Sequence, residues 1–238
     1  MGGKVEIIAQ NLRDAQIIEA CGGQRIELVS APELGGLTPS GGLLKSVLQH
    51  VRIPVQVMIR PKAHSFVYSA DELAVMCEDI RLAQASGASG VVLGALTPQG
   101  EVDRSALETL LAAVVDCSVT FHRAIDAAAD PLAAVGVLQQ YSKIKRILSS
   151  GGAGAIVENV ETLRAMRQAA GNEIKLLLGG GVTRQNMRQL LAAVGSDEVH
   201  LGTDVRRRSS YACDLDRAAL ETVVKAAAQA FEADGAGR

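Results

Sequence analysis

Short runs rich in β-branched residues recur along the chain at regular intervals, and this spacing restricts the possible folds more than any other feature of the sequence. Successive runs begin 20 to 36 residues apart, which is the room that one strand and one crossover helix need. The predicted strands cover residues 5–9, 25–29, 54–59, 90–93, 118–122, 146–149, 174–178 and 198–201.

Helix-like stretches fill the gaps between these runs, and several carry the signals that start a helix. Ser69 followed by Glu72 is a capping box, and Pro131 directly after Asp130 suits the first position of a helix. The predicted helices cover residues 11–20, 42–50, 70–85, 103–115, 131–141, 160–170, 184–193 and 216–231.

Eight strand–helix units without a long linker favour a closed (β/α)8 TIM-type barrel of the α/β class, with a doubly wound open sheet as the alternative. The length of 238 residues and the 48% hydrophobic content suit one core of this size. We therefore expect one barrel domain over residues 1–238, in which residues 233–238 form a frayed tail.

Charge and cysteine usage exclude several classes of function. The formal net charge is −2, without a dense basic face, so neither nucleic acid nor a membrane is an expected partner.

The first ten residues resemble neither a signal peptide nor a membrane span, which predicts a cytoplasmic protein. The four cysteines form no CxxC pair, and neither a Rossmann nor a Walker motif is present, so a zinc clip and a nucleotide cofactor are not indicated.

Charged residues within the predicted strands need a physical reason, because both faces of a strand in a parallel barrel are covered. Side chains alternate along a strand, so Glu6 points into the barrel if Val5 and Ile7 face the helices. The same parity places a polar set in the interior: Glu6, Glu27, Arg60, His122 and His200.

These inward charges predict either a structural network or a site for a ligand, because unpaired buried charge is costly. Arg60 and His122 fall near the carboxyl ends of strands, where barrel sites are built. The predicted catalytic set is His122, Asp126, Glu27 and Arg60. In this interpretation Arg60 holds a carboxylate or phosphate, and His122 moves a proton with the help of Asp126 or Glu27.

Small residues after the last three strands predict a second contact for an anion, because exposed backbone amides can cradle one. A purely conformational role of these glycines in turns is the alternative. The predicted ligand-binding set is Glu6, Arg60, His200, Ser149, Gly179, Gly180, Gly181, Gly202 and Thr203. The run from Arg206 to Arg208 is interpreted as a solvated loop.

Seven stretches of the chain resemble the CutC family of copper-homeostasis proteins, in the family's order and over nearly the whole length. They are RIELVSAPELGGLTPSGGLL, PVQVMIRP, GVVLGALTPQGEVD, VTFHRAIDAAADP, RILSSGG, LLLGGGV and EVHL. The resemblance implies a TIM-type barrel, a cytosolic location, a homodimer or higher homo-oligomer, and a role in copper tolerance or Cu(I) binding.

Two positions depart from the pattern of that family, which has cysteines near the end of the first strand and directly after RIEL. Here those positions are Ile8 and Val29. Cu(I) prefers thiolate or thioether ligands, so copper at the family site is predicted to bind poorly, with Met58, His122 or His200 as weaker ligands. The metal and cofactor of the chain are left undetermined.

Three functional classes remain open from the sequence. The first is a CutC-like protein of copper homeostasis that has a pocket for a small anion. The second is a barrel enzyme, a lyase, isomerase or hydrolase, that acts by acid–base chemistry on a small anionic or phosphorylated sugar-like substrate. The third is a scaffold whose interior charges are structural.

Overall fold

The computed structural model describes residues 3–235, and these form a closed barrel of eight parallel strands in chain order, with β8 paired to β1. The predicted barrel is confirmed, and no strand bound differs from the prediction by more than two residues. The strands are β1 (Lys4–Ala9), β2 (Arg25–Leu28), β3 (Val55–Met58), β4 (Gly90–Leu93), β5 (Ser118–Phe121), β6 (Ile144–Ser149), β7 (Lys175–Leu178) and β8 (Glu198–Leu201).

Eight α-helices surround the strands, each in the gap where the sequence predicts one. Ser69 and Glu72 form the predicted capping box, and the side chain of Asp130 caps the helix that begins at Pro131. The helices are α1 (Leu12–Ala20), α2 (Gly41–His50), α3 (Ala70–Ala85), α4 (Arg104–Ala113), α5 (Pro131–Leu138), α6 (Val160–Ala170), α7 (Met187–Val194) and α8 (Arg217–Gly235).

Three helix ends differ clearly from the predictions, and the first is that of α5, which ends at Leu138 and not at residue 141. α7 begins at Met187 and not at residue 184, because Thr183 and Asn186 exchange side-chain to backbone hydrogen bonds that hold a turn there. α8 runs to Gly235, three residues into the segment predicted to be a tail, and residues 236–238 lie outside the described residues. Within the described chain, no helix has the length and apolar character that a membrane crossing requires.

Side chains alternate between the two faces of each strand, and this alternation divides the core into an outer and an inner layer. One side of each strand packs against the helices in a large apolar cluster, which includes Val5, Ile7 and Phe121. The other side fills the barrel, where a small apolar cluster of Ile8, Val29, Met58 and Val92 lies beneath Tyr211. The predicted inward direction of the charged residues is therefore correct.

A guanidinium closes the barrel interior near the amino ends of the strands. Arg146 donates hydrogen bonds to Thr120 and Ser118 on β5 and to Gln56 on β3. Its partners are neutral, and desolvation lowers the pKa of Arg146 from its ordinary value. This layer is structural, and it leaves the opposite, carboxyl-end side of the barrel for a ligand.

Candidate functional site at the carboxyl ends of the strands

A cavity of about 650 Å³ opens at the carboxyl ends of the strands. Its walls come from strands β1, β2, β3, β6 and β8 and from the loops that follow β2, β3, β5, β6, β7 and β8. Nine of the predicted site residues line it: Glu27, Arg60, His122, Asp126, His200, Gly180, Gly181, Gly202 and Thr203. The structure thus brings most of the predicted set into one pocket.

Three predicted ligand-binding residues lie behind the cavity wall and not in it. Glu6 is fully buried beneath His200. Ser149 is also fully buried and its hydroxyl is already used, because it donates to Asp126 of the loop after β5 and accepts from the backbone of Gly151. Gly179 packs so closely on Leu148 and His200 that its lack of a side chain serves packing.

Glu6 is the centre of a buried ionic network below the cavity. Its carboxylate accepts hydrogen bonds from Arg25 Nε and pairs with His200 Nδ1 at 2.8 Å, while Arg25 Nη2 donates to Glu198 at 2.5 Å. Burial alone raises the pKa of Glu6, but the charges of Arg25 and His200 outweigh it and hold that pKa below its ordinary value. Glu6 is therefore an ionised positioning group for His200.

Glu27 lies above this network, at the floor of the cavity. Its Oε2 is 3.7 Å from His200 Nε2, and its Oε1 is buried without a hydrogen-bond partner among the described residues. Burial raises the pKa of Glu27 to about 7. Burial lowers the pKa of His200, but Glu27 and Glu6 outweigh this and raise it above its ordinary value. Glu27 can therefore take up or release a proton near neutral pH, beside an imidazole whose charged form the two carboxylates favour.

Arg60 is a buried guanidinium in the cavity wall, 5% exposed. Its Nη1 donates to the carbonyls of Leu34 and Gly36 at 3.1 and 3.3 Å, and its guanidinium carbon lies 4.7 Å from the centre of the Phe66 ring. Among the side chains that the structure describes, no carboxylate pairs with it and its Nε lacks a hydrogen-bond partner. These contacts orient the guanidinium and leave its charge free for a ligand.

His122 differs from the predicted base in its hydrogen bonding. Its Nδ1 accepts a hydrogen bond from the backbone of Ala124 at 3.1 Å, and its Nε2 has no partner in the described part of the chain. Burial and the charge of Arg60 lower the pKa of His122 to about 3. The ring is therefore neutral at pH 7, with its proton on Nε2.

The predicted pairing of Asp126 with His122 is wrong. Asp126 accepts hydrogen bonds from Ser149 and from the backbone and side chain of Ser150, and it pairs with Arg123 at 2.8 Å. The backbone amide of Ser150 therefore binds a carboxylate of the protein itself. The sequence predicted that the loop after β6 binds an anionic ligand. In the structure the carboxylate of Asp126 occupies that position.

The interpretation of Arg206 as part of a solvated loop is also wrong, although Arg207 and Arg208 are exposed. Arg206 is 3% exposed and pairs with Asp14 at 2.6 Å, and it also donates to the carbonyls of Ile8 and Cys213. These bonds hold the loop that places Tyr211 in the cavity wall.

Several functional neighbours were not found from the sequence. Arg25 and Glu198 share the strand parity of Glu27 and His200, so the alternation of side chains could have revealed them. Arg123, Phe66 and Tyr211 reach the cavity from loops, where no periodicity predicts the direction of a side chain. They supply one further cation and two aromatic walls.

Comparison with known proteins places this barrel among its relatives. The model of the CutC family matches residues 3–205. A CutC family protein of Pasteurella multocida is 38% identical over 198 residues, which are 83% of this chain and 81% of that protein. The human copper homeostasis protein cutC homolog is 39% identical over 208 residues, covering 87% and 76% of the two chains.

A solved structure gives the same result. The crystal structure of the putative copper homeostasis protein CutC from Streptococcus agalactiae superposes with a TM-score of 0.80 at 34% identity, and the match covers 84% of this chain and 98% of that one. The family match spans more than half of the chain, and the relatives exceed 30% identity over most of it. The chain therefore belongs to the CutC family.

Proposed function

We propose that the cavity binds a small organic anion, with Arg60 as its main contact. The observation that carries this proposal is a buried guanidinium in a cavity wall that has no carboxylate partner among the described residues. A buried charge is costly unless it is paired, and a carboxylate or phosphate supplies the missing charge in the geometry that arginine prefers. The volume of about 650 Å³ suits a small metabolite.

Replacing Arg60 by Gln is expected to abolish binding of anions while changing stability only modestly, because no buried carboxylate loses its partner. Thermal melts of the wild type with phosphate or ribose 5-phosphate should show stabilisation, about 2.7 kcal/mol at a ligand concentration 100 times Kd. The Arg60→Gln variant should show none of this stabilisation.

Arg207→Gln is the matched control, because Arg207 is exposed and does not line the cavity. It should keep the response of the wild type to both anions. The proposal fails if neither anion stabilises the wild type. A large loss of stability in Arg60→Gln would then show that the hydrogen bonds of Arg60 to the carbonyls of Leu34 and Gly36 are structural.

A catalytic role is the second candidate, and the pair of Glu27 and His200 favours it. Glu27 has a pKa raised to about 7 and lies 3.7 Å from His200, whose pKa is raised above its ordinary value. The same cavity contains a guanidinium without a carboxylate partner among the described side chains, and together these groups form a typical arrangement for acid–base catalysis. Lyase, isomerase or hydrolase chemistry on a small anionic, sugar-like substrate fits these groups. In this role Arg60 holds the anionic group while Glu27 moves the proton.

Copper homeostasis, which the names of relatives state, is proposed for this chain only as a role in the cell. The cavity residues do not fit Cu(I), because Ile8 and Val29 offer no ligand atoms. In the small apolar cluster of Ile8, Val29, Met58 and Val92, the thioether of Met58 is the one sulfur ligand. The four cysteines, Cys21, Cys77, Cys117 and Cys213, do not line the cavity. No chemical step is therefore assigned to copper.

Weak uptake of Cu(I) is the expected result when the chain competes with a Cu(I) chelator. The double variant Ile8→Cys with Val29→Cys should bind one equivalent of Cu(I) more tightly than the wild type does. Both positions belong to one cluster in the cavity wall, so the two thiolates can share the ion. Tight one-to-one binding by the wild type that survives replacement of all four cysteines by serine would overturn this expectation.

We also propose the cytoplasmic location and the homo-oligomer that the family resemblance implies. Size-exclusion chromatography with light scattering tests the second of these, since a mass equal to one 24.8 kDa chain would exclude it. Cell fractionation with a cytoplasmic marker tests the first. Neither property is needed for the anion site, because every residue assigned to that site comes from one chain.

A further inference from the structure

Three polar atoms of the cavity residues are buried without a hydrogen-bond partner in the described chain: Nε of Arg60, Nε2 of His122 and Oε1 of Glu27. Each residue is at most 5% exposed. Buried polar atoms in native proteins are nearly always paired, so unpaired atoms on three residues that line one cavity indicate which side chains can bind the polar atoms of a ligand. The chemical type of each atom then restricts the ligand.

Two of the three atoms are hydrogen-bond donors, and their residues contact the same aromatic ring. The Phe66 ring contacts both residues, with its centre 4.7 Å from the guanidinium carbon of Arg60 and 5.0 Å from the centre of the His122 ring. The backbone of Ala124 donates to Nδ1 of His122, so the proton of this neutral ring lies on Nε2. His122 can therefore donate to an oxygen but cannot act as a base through Nε2.

A neutral imidazole donor beside a guanidinium suits an oxygen on which negative charge develops. Glu27 enters the cavity from β2 and His122 follows β5, so the two groups approach a ligand from different sides of the barrel. Oε1 of Glu27 is the unpaired atom that can take or return a proton. Donor, cation and base are thus present together.

We propose that the ligand is a small carbonyl compound that carries an acidic group, and that the cavity promotes its enolisation. This inference rests on the proposed function, because Arg60 holds the acidic group. His122 Nε2–H donates to the carbonyl oxygen, and the Glu27 carboxylate removes a proton from the carbon next to the carbonyl. The C–H electron pair becomes a C=C bond, and the C=O π electrons move to the oxygen. Return of the proton to carbon restores both the carbonyl and the carboxylate.

Exchange of carbon-bound hydrogen for deuterium is the direct test. In D2O the wild type should exchange the C3 protons of 2-oxobutyrate, or the C3 protons of dihydroxyacetone phosphate, at least about tenfold faster than buffer, as measured by proton NMR. Glu27→Gln should abolish this acceleration, and His122→Leu should lower the exchange to close to the buffer rate. His122→Gln, whose amide still donates, should retain part of it.

The controls are Glu101→Gln and His50→Leu, two exposed positions outside the cavity that should exchange at the wild-type rate. If phosphate stabilises the wild type through Arg60 but neither carbonyl probe is exchanged, enolisation is refuted while the anion site stands. If phosphate also fails, both proposals fall. Equal loss of exchange in a control variant would likewise contradict the assignment.

A measurement on the wild type alone covers the case in which a variant does not fold. Nitrogen-15 NMR of the four histidines should show His122 as the neutral Nε2–H tautomer at pH 7, and oxalate, a planar mimic of an enolate, should move the Nε2–H proton downfield. A proton on Nδ1, or an Nε2–H signal that oxalate leaves unchanged, would overturn the proposal.

Discussion

Replacing Arg25 by Met is expected to lower the free energy of unfolding by about 3–5 kcal/mol, the largest effect of any single change considered for this barrel. Arg25 is 2% exposed and pairs with both Glu6 and Glu198. Removing its charge leaves two buried carboxylates close to each other without the cation that stabilises them. The cost comes mainly from these carboxylates and not from the loss of apolar contacts, because Met fills a similar volume.

Urea unfolding of the two proteins at neutral pH measures this effect. Arg13→Met is the matched control, because Arg13 pairs with Asp214 on the surface, where both side chains are more than half exposed. A surface pair contributes about 0–1 kcal/mol, so this variant should stay close to the wild type. Equal stability of Arg25→Met and Arg13→Met would mean that the interior network does not stabilise the fold.

Acid is expected to destabilise the wild type through His122 by about 3 kcal/mol between about pH 7 and pH 4. Burial and the charge of Arg60 lower the pKa of His122 to about 3 in the folded chain. The unfolded chain therefore binds a proton below about pH 6.5, whereas the folded chain does not, and stability is lost as the pH falls through this range. Glu27 acts in the opposite direction, because its pKa is raised to about 7.

Comparison with a variant separates the two contributions. His122→Gln keeps an acceptor for the backbone of Ala124 but cannot titrate, whereas Glu27 is present in both proteins. The stability of this variant relative to the wild type should rise as the pH is lowered from 7 to 4, as measured by urea unfolding at several pH values. His50→Gln, at an exposed position, should follow the wild type. Parallel curves for His122→Gln and the wild type would show that the imidazole is not kept neutral by the fold.

The fold was predictable because local sequence carries the information that a barrel needs. The periodicity of two in the strands, the caps of the helices and the even spacing of the units are properties of neighbouring residues. The bounds that differed, such as the start of α7, depend on side-chain hydrogen bonds between Thr183 and Asn186 that compete with the first turn of a helix. Strand parity also predicted correctly that Glu6, Glu27 and His200 point inward.

The pairing of these inward groups could not be predicted in the same way. Asp126 follows the same strand as His122, and proximity in sequence suggested that they act together, but the carboxylate binds Ser149 and Ser150 from the next strand. Separation along the chain does not determine the direction in which a loop side chain points. In a turn, unlike a strand, successive side chains do not alternate regularly between two faces. The same reason explains why Arg123, Phe66 and Tyr211 were not predicted.

The sequence by itself determined the strands, their order along the chain and the parity that directs Glu27, Arg60 and His200 into the barrel. These follow from local sterics and from the apolar pattern, which act between residues close in the chain. Only the tertiary structure decided the charge state and partner of each group. Closing the barrel brings Arg25 of β2 between Glu6 of β1 and Glu198 of β8, and among the described side chains it leaves Arg60 without a carboxylate. Electrostatic energy depends on distance in space and on removal from water, and both are set by the contacts between distant strands.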